Sequence, residues 1–247
     1  MRLTTVIAST NANPNYYLFI PKQIKFWDHF NIKFIAIFVG ESIPPVLQEY
    51  SQNIILYNRN LNLNSSFVAQ HVRIYYPALL NVSKDAFVMI TDMDMLPMND
   101  PYYKTGLENF TKDDFIYYRH IDLTQIDSPQ IYMCYNAGHP DTWSSIFGIN
   151  TIEDIEQRIA LTFDDAYTGV PGEVGWFSDQ LILYKKLISY PNLKVLNRPI
   201  KRLEVGAYLE HLQRGHTNFI SSYDDGHFHR SFKANKNIIE HAEKQLK

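Results

Sequence analysis

Apolar residues in the first hundred positions follow two alternating patterns, which predicts a succession of strands and helices. Short, continuous apolar runs that end in polar or turn residues are typical of buried strands. Four such runs stand at positions 3–10, 33–40, 53–58 and 86–91. Between them, 16–30 and 66–81 carry apolar residues near helical spacing. We therefore expect an α/β fold with a mainly parallel, doubly wound (Rossmann-like) central sheet flanked by helices.

Single residues set the expected ends of several helices. Ser65 or Ser66 is expected to cap the helix at 66–81, and Pro77 is expected to kink or stop it. Thr151 and Asp154 have the spacing of a capping box, which predicts a helix over 151–163.

The second half of the chain is less regular. Apolar patterning predicts strands within 114–122 and 131–138, and helices over 179–189 and 235–247. The segment 168–179 is punctuated by glycine and proline and is the best candidate for a mobile lid. Its tryptophan is Trp176.

Composition narrows the class of protein. The 247 residues are 45% hydrophobic and carry a formal net charge of -3, so a nucleic-acid partner is not expected. The single cysteine, Cys134, cannot form an intrachain disulfide, which fits a reducing compartment. Apolar runs are too short for a signal peptide or for a membrane span, which needs about 20 apolar residues. We expect a cytoplasmic protein without a transmembrane segment.

The most informative motif is a pair of aspartates, Asp92 and Asp94, directly after the apolar run at 86–91. Ligands bind such sheets at the carboxyl ends of the strands. Residues two apart on an extended strand point the same way, so the pair is expected to share a cation. Alternatively, one carboxylate binds the cation while the other orients a water or a sugar. Carboxylate oxygens suit Mg²⁺ or Mn²⁺.

Other interpretations of the aspartate pair remain open on the residues alone. Asp92 can simply cap the next turn while Asp94 is solvated. An apolar strand that ends in Asp-x-Asp is also typical of haloacid-dehalogenase-type phosphatases, in which Asp92 would be the nucleophile. A non-catalytic module that binds nucleotide-sugars or glycans is a third possibility. A sugar-1-phosphate nucleotidyltransferase needs a glycine-rich, basic loop after its first strand, and "ASTNANPNYY" has neither glycine nor lysine.

The stretch "SFVAQHVRIYYPALLNVSKDAFVMITDMDMLPM" resembles the donor-binding core of GT-A-fold glycosyltransferases, and the nearest match is the glycogenin-like (glycosyltransferase family 8-like) group. Four further segments resemble motifs of that family and occur in its order: "TVIAST", "YNAGH", "FSDQLIL" and "DDGHFHR". The resemblance implies one GT-A-like domain over 1–247. Its nucleotide-sugar-binding half would be 1–100 and its acceptor-binding half 101–247.

The resemblance also implies an activity, which is metal-dependent transfer of a sugar from a nucleotide-diphosphate donor to a hydroxyl of a glycan or other acceptor. UDP is the default nucleotide. Asp92 and Asp94 would hold Mn²⁺ or Mg²⁺ against the diphosphate, and a late histidine would complete the metal shell. We expect only one of His227 and His229 to face the metal and favour His227.

The resemblance assigns the remaining site residues as well. Asp94 and Asp179 are the implied catalytic residues. Asp179 would be the base in an inverting enzyme, whereas with Gln180 it would bind the sugar in a retaining one. The implied donor-binding residues are Ala8, Ser9, Thr10, Gln70, Arg73, Asp92, Met93, Asn136, Gly138, Gln180 and Arg230.

Overall fold

A seven-stranded sheet and a smaller three-stranded sheet organise the computed structural model, which describes residues 1–59, 61–119, 130–170, 172–229 and 231–246. The strands, in chain order, are β1 (Arg2–Asn11), β2 (Lys33–Val39), β3 (Ile54–Tyr57), β4 (Ala86–Ile90), β5 (Met95–Pro97), β6 (Phe115–Tyr117), β7 (Asn136–Gly138), β8 (Leu193–Val195), β9 (Arg202–Glu204) and β10 (Asp225–His227). The large sheet has the order β3-β2-β1-β4-β7-β6-β8.

The large sheet is mainly parallel, as its sequence pattern predicts. β1 pairs in parallel with β2 and β4, and β2 pairs in parallel with β3. Only β7 runs against its neighbours among the described strands of this sheet. The central strand β4 is buried along its whole length, which explains its unbroken apolar run.

Helices cover both faces of the large sheet. They are α1 (Pro14–Tyr17), α2 (Ile20–His29), α3 (Ser65–Tyr75), α4 (Asp100–Lys104), α5 (Pro140–Phe147), α6 (Ile152–Thr162), α7 (Ser178–Leu187), α8 (Val205–Gln213) and α9 (Phe232–Gln245). Val6 and Ile7 of β1 point into two different cores. One core includes side chains of α2 and α9, and the other includes side chains of α3, α5, α6 and α7. The predicted doubly wound α/β class is confirmed.

Local chemistry explains where the observed elements depart from the sequence pattern. The predicted cap at Ser65 or Ser66 is wrong, because Asn64 caps α3 and its side chain accepts a bond from the Ser66 backbone N–H at 2.9 Å. α3 ends at Tyr75 and continues as a 3₁₀ turn around Pro77, which cannot donate to an α-helical ladder. The capping box of Thr151 and Asp154 is confirmed with both of its bonds.

The three-stranded sheet brings the late part of the chain to the aspartate pair. β10 pairs antiparallel with β5 and parallel with β9. In this register His227 lies opposite Met95 on one side and opposite Glu204 on the other. Across the described parts of the chain, we find no helix long and apolar enough to cross a membrane.

Candidate functional site

A cavity of about 480 Å³ opens at the carboxyl ends of β1 and β4, and we call it the β1–β4 cavity. This position is where open α/β sheets bind ligands. It is lined by ten of the residues expected at the site, namely Ser9, Thr10, Gln70, Arg73, Asp92, Met93, Asp94, Asp179, Gln180 and His227. Both halves of the chain therefore contribute to its wall.

Four of the expected residues do not line the described part of this cavity. Ala8 is fully buried within the core on one face of the sheet. Asn136 is also fully buried, and its side-chain amide donates to the backbone carbonyls of Tyr132 and Met133 at 2.8 and 2.9 Å. Gly138 is buried on β7, where a Cβ atom would lie 3.2 Å from the Phe115 ring and 3.4 Å from Trp143 Nε1. Arg230 lies outside the described residues.

The aspartate pair lies in a turn and not on an extended strand. β4 ends at Ile90, and the Met95 N–H donates to the Asp92 carbonyl at 3.3 Å. Buried Gln23 of α2 fixes this turn, because its side-chain amide donates to the carbonyls of Met93 and Met95 at 2.8 Å each. The pair therefore does not sit on an extended strand as expected, and although both aspartates line the cavity, each has a different partner.

Asp92 belongs to a cluster centred on Arg73 of α3. One guanidinium nitrogen, Nη1, contacts Asp92 Oδ1 at 2.5 Å, and Nη2 contacts Asp179 Oδ2 at 2.9 Å. The side chain of Asp179 is only 1% exposed, and its Oδ1 accepts from the Gln180 N–H at 2.8 Å. Both oxygens of Asp179 are thus engaged by the protein itself.

Burial and pairing act in opposite directions on the pKa values of this cluster. Burial lowers the pKa of Arg73, but the charges of Asp92 and Asp179 outweigh it and raise that pKa above its ordinary value. Burial raises the pKa of Asp179, and Arg73 offsets part of that rise. The guanidinium consequently stays charged between its two acidic partners.

Asp94 faces the other side of the turn, toward β10. Its Oδ2 lies 3.7 Å from His227 Nε2. The second ring nitrogen of His227, Nδ1, lies 3.2 Å from Glu204 Oε2. Burial lowers the pKa of His227, but Asp94 and Glu204 outweigh it and raise that pKa above its ordinary value.

His229 also lines the cavity, beside His227. The two ring centroids are 3.9 Å apart, and His229 Nε2 lies 3.5 Å from Glu204 Oε2. Residues two apart on an extended segment project to the same side. Both histidines therefore line the cavity, and the expectation that only His227 faces the metal stays a prediction.

The Gly/Pro-rich segment is anchored to α3 by polar contacts. The Gln70 side chain donates to the Trp176 carbonyl and accepts from the Tyr167 hydroxyl at 3.2 Å. The next residue, His71, donates its Nδ1–H to the Phe67 carbonyl at 2.9 Å. Its Nε2 is therefore the acceptor nitrogen, and it accepts from the Ser178 hydroxyl at 3.1 Å. Gln70 thus contacts the candidate lid directly, and Trp176 lines the cavity.

The donor set on the Asp94 side fits a divalent cation. A carboxylate oxygen and an imidazole nitrogen face each other across 3.7 Å at the cavity wall. Carboxylate oxygens suit both Mg²⁺ and Mn²⁺, and an imidazole favours Mn²⁺ of the two. Asp92 would take part through a carboxylate that already has one oxygen on Arg73.

No protein-family model matches the chain, and no curated protein matches it in sequence. Solved structures do match. The galactosyltransferase LgtC, determined with donor and acceptor sugar analogues, matches with a TM-score of 0.52 at 11% identity, over 98% of this chain and 96% of that one. The chain has a GT-A-type fold.

A second match agrees with this fold. The glycosyltransferase GlyE of Streptococcus pneumoniae TIGR4 matches with a TM-score of 0.53 at 14% identity. The match covers all of this chain and 62% of the GlyE chain, so this chain spans about three fifths of that structure. At these identities the likeness concerns the fold.

Sequence patterns missed two polar residues that shape the site. Gln23 lies on the buried face of α2, and a glutamine among apolar residues was the only sequence feature that could have indicated its role. Glu204 lies 23 positions before His227, and only the parallel pairing of β9 with β10 brings them together. No local spacing in the sequence encodes that register.

Proposed function

We propose that this protein is a metal-dependent glycosyltransferase that moves a sugar from a nucleotide-diphosphate donor, by default a UDP-sugar, to a hydroxyl of a glycan or other acceptor. One observation carries the proposal. Asp94 and His227 face each other at the wall of a cavity at the carboxyl ends of β1 and β4, in a GT-A-type fold. Asp92, fixed by Arg73, lines the same cavity.

In this proposal Asp92, Asp94 and His227 hold Mn²⁺ or Mg²⁺ against the donor diphosphate. When bound, such a cation stabilises the negative charge that develops on the departing nucleoside diphosphate. The chain preorganises these ligands by pairing β10 with β5 and by fixing the 92–94 turn through Gln23. Little reorganisation is then needed on donor binding, which favours catalysis.

Arg73 supports the donor side of the proposed site. Its charge is shared between Asp92 and Asp179, so it orients both carboxylates. Ser9 and Thr10 at the end of β1 lie where short side chains let a base or ribose approach the backbone. Gln180 and Met93 complete the wall of the cavity.

Asp179 takes an electrostatic role in this proposal. Its carboxylate holds Arg73 and stabilises positive charge on the sugar, as expected for transfer with retention. A role as base would require Asp179 to exchange its bond to Arg73 for one to the acceptor hydroxyl. Tyr167 and Trp176 line the cavity from the proposed acceptor-binding half and are the candidate acceptor contacts.

The rival enzyme, a haloacid-dehalogenase-type phosphatase, is not favoured. Its nucleophile would be Asp92, but Asp92 is ion-paired with Arg73 at 2.5 Å, and the matching folds are those of glycosyltransferases. A non-catalytic binding module would have the same fold as the enzyme, so the fold does not distinguish the two. Turnover therefore separates the module from the transferase.

The experiment is donor hydrolysis with a panel of nucleotide-sugars in the presence of Mn²⁺, followed by addition of candidate acceptors. We expect slow release of the nucleoside diphosphate from one donor, and loss of that release on chelation and in Asp94→Asn. The matched control is Asp100→Asn, which removes a carboxylate on α4 that does not line the described cavity. Metal-independent release, or a phosphoaspartate trapped at Asp92, would contradict the proposal. Binding without turnover would favour the module.

A further inference from the structure

Glu204, His227 and His229 form a second group of potential metal ligands beside the Asp94–His227 pair. One ligand atom from each of the three residues lies within 4.8 Å of the other two. Glu204 ends β9, His227 ends β10, and His229 follows two residues later. The proposed role of His227 toward Asp94 uses its Nε2, so the group around Nδ1 is not accounted for by the donor site.

Backbone pairing holds this group together before any ligand arrives. His227 and Glu204 are direct partners in the β10–β9 register, so their side chains lie on one face of the small sheet. His229 projects to the same side, and its ring centroid lies 3.9 Å from that of His227. Strand register therefore places Glu204 beside His227, and His229 joins them from two residues beyond the end of β10.

The two carboxylate–imidazole distances within the group are close to those of a tetrahedral zinc shell. Glu204 Oε2 lies 3.2 Å from His227 Nδ1 and 3.5 Å from His229 Nε2. In a tetrahedral site with zinc–ligand bonds of about 2.0–2.2 Å, neighbouring ligand atoms lie about 3.3–3.6 Å apart. Two imidazoles and one carboxylate are also a donor set that zinc sites use, with the fourth position left open.

The surroundings do not oppose a cation. Arg202 lies two residues before Glu204 on β9, but its guanidinium is paired with buried Asp225 at 2.6 Å. The side chains of Glu204 and His229 are 47% and 63% exposed, so an ion can reach them from solvent. Both histidines also line the β1–β4 cavity.

We propose that Glu204 Oε2, His227 Nδ1 and His229 Nε2 form a binding site for a zinc-type cation that is separate from the cation site proposed at Asp94. The site needs no donor, and its existence does not depend on the proposed transferase activity. A neutral imidazole offers one lone pair, so a cation on Nδ1 of His227 leaves the proton on Nε2. That nitrogen then faces Asp94 as a hydrogen-bond donor and cannot bind the cation proposed at Asp94. Given the proposed function, bound zinc would weaken the binding of the cation at Asp94, and that cation would weaken zinc binding by the same factor.

The experiment titrates the full, chelator-stripped chain with Zn²⁺ alone, in competition with a chromophoric chelator and without any nucleotide. We expect one zinc per chain. His229→Ala and Glu204→Ala should each weaken binding at least about tenfold, since loss of even an outer partner of a metal site costs 10–100-fold. Circular dichroism of each variant checks that it is folded.

Two controls separate this site from other zinc binding. Asp100→Asn removes a carboxylate on α4 that does not line the described cavity, and it should keep the wild-type zinc affinity. His29→Ala removes an exposed histidine of α2 and should also leave it unchanged. The proposal is overturned if the wild type binds no stoichiometric zinc, if His229→Ala and Glu204→Ala bind as tightly as the wild type, or if Asp100→Asn or His29→Ala weakens binding as much as they do.

Discussion

Two clusters flank the 92–94 turn, and they differ in how their charges are balanced. On the α3 side, Arg73 lies between Asp92 and Asp179, and the protein supplies both partners of the guanidinium. On the β10 side, Asp94 and Glu204 face imidazoles that carry full charge only when protonated. The α3 side is a finished ion-pair network, whereas the β10 side has donor atoms suited to a cation.

This difference indicates two roles: the α3 side stabilises the fold around the site, and the β10 side binds a ligand. Charges that are buried and paired are costly to expose singly, so the α3 side should contribute to stability as well as to the site. On the β10 side Glu204 and His229 are about half exposed or more, so they contribute little to stability and remain available to a ligand. Substitutions on the α3 side should consequently lower the free energy of unfolding, whereas substitutions on the β10 side should mainly weaken metal binding.

The largest effect is expected for Arg73→Met. The substitution leaves Asp92 and Asp179 without their shared cation, and Asp179 is almost fully buried. Breaking such a pair from one side costs about 3–5 kcal/mol of unfolding free energy. Urea denaturation monitored by circular dichroism measures it.

Arg59→Met is the matched control for Arg73→Met. Arg59 is 44% exposed and pairs with Glu153 and Glu156 on the surface. Exposed pairs contribute less than about 1 kcal/mol. An equal loss of stability in the two variants would remove the distinction between the clusters.

A pH effect is expected from His71, which bridges α3 to the start of α7 behind the Arg73 cluster. Burial lowers the pKa of His71 to about 4, against its ordinary 6.5. The unfolded chain therefore binds more protons than the folded chain between pH 6.5 and 4, so stability falls as the pH drops through this window. A shift of this size corresponds to roughly 3 kcal/mol at pH 4.

Urea denaturation at several pH values, compared between the wild type and His71→Gln, isolates this contribution. We expect the acid loss of stability to be smaller in His71→Gln by the stated amount. His29→Gln, at an exposed position of α2, should retain the wild-type slope. Parallel pH profiles for all three proteins would show that His71 is not held neutral by the fold.

The smallest effect on stability is expected for Glu204→Gln on the β10 side. The Glu204 side chain is about half exposed, so the change in unfolding free energy should stay below about 1 kcal/mol. Thermal unfolding and zinc titration of the same sample provide the comparison. A large loss of stability would place Glu204 with the supporting cluster and not with the metal ligands.

The order of strands and helices in the first half of the chain was predicted correctly, because long apolar runs are stable only as buried strands at the centre of a sheet. The four N-terminal runs became β1 to β4, and the helices between them cover both faces. The second half was harder to predict, since its strands are three residues long and are set by pairing with distant partners. Short strands leave little periodicity to read.

The candidate site was predictable in its members more than in its geometry. The motif order located Asp92, Asp94, Arg73 and His227, which the structure brings to one cavity. The separate partners of the two aspartates depend on the turn after Ile90 and on Gln23. Asn64 as a helix cap and Glu204 beside His227 depend likewise on conformation and register.

The most direct test of the central claim is calorimetric titration of UDP into the wild type and Asp94→Asn, each with Mn²⁺ and with a chelator. We predict that Mn²⁺ strengthens UDP binding to the wild type at least about tenfold, or 1.4 kcal/mol, and leaves Asp94→Asn unaffected. Equal UDP affinity of the wild type with and without Mn²⁺, or an undiminished Mn²⁺ effect in Asp94→Asn, would contradict the account.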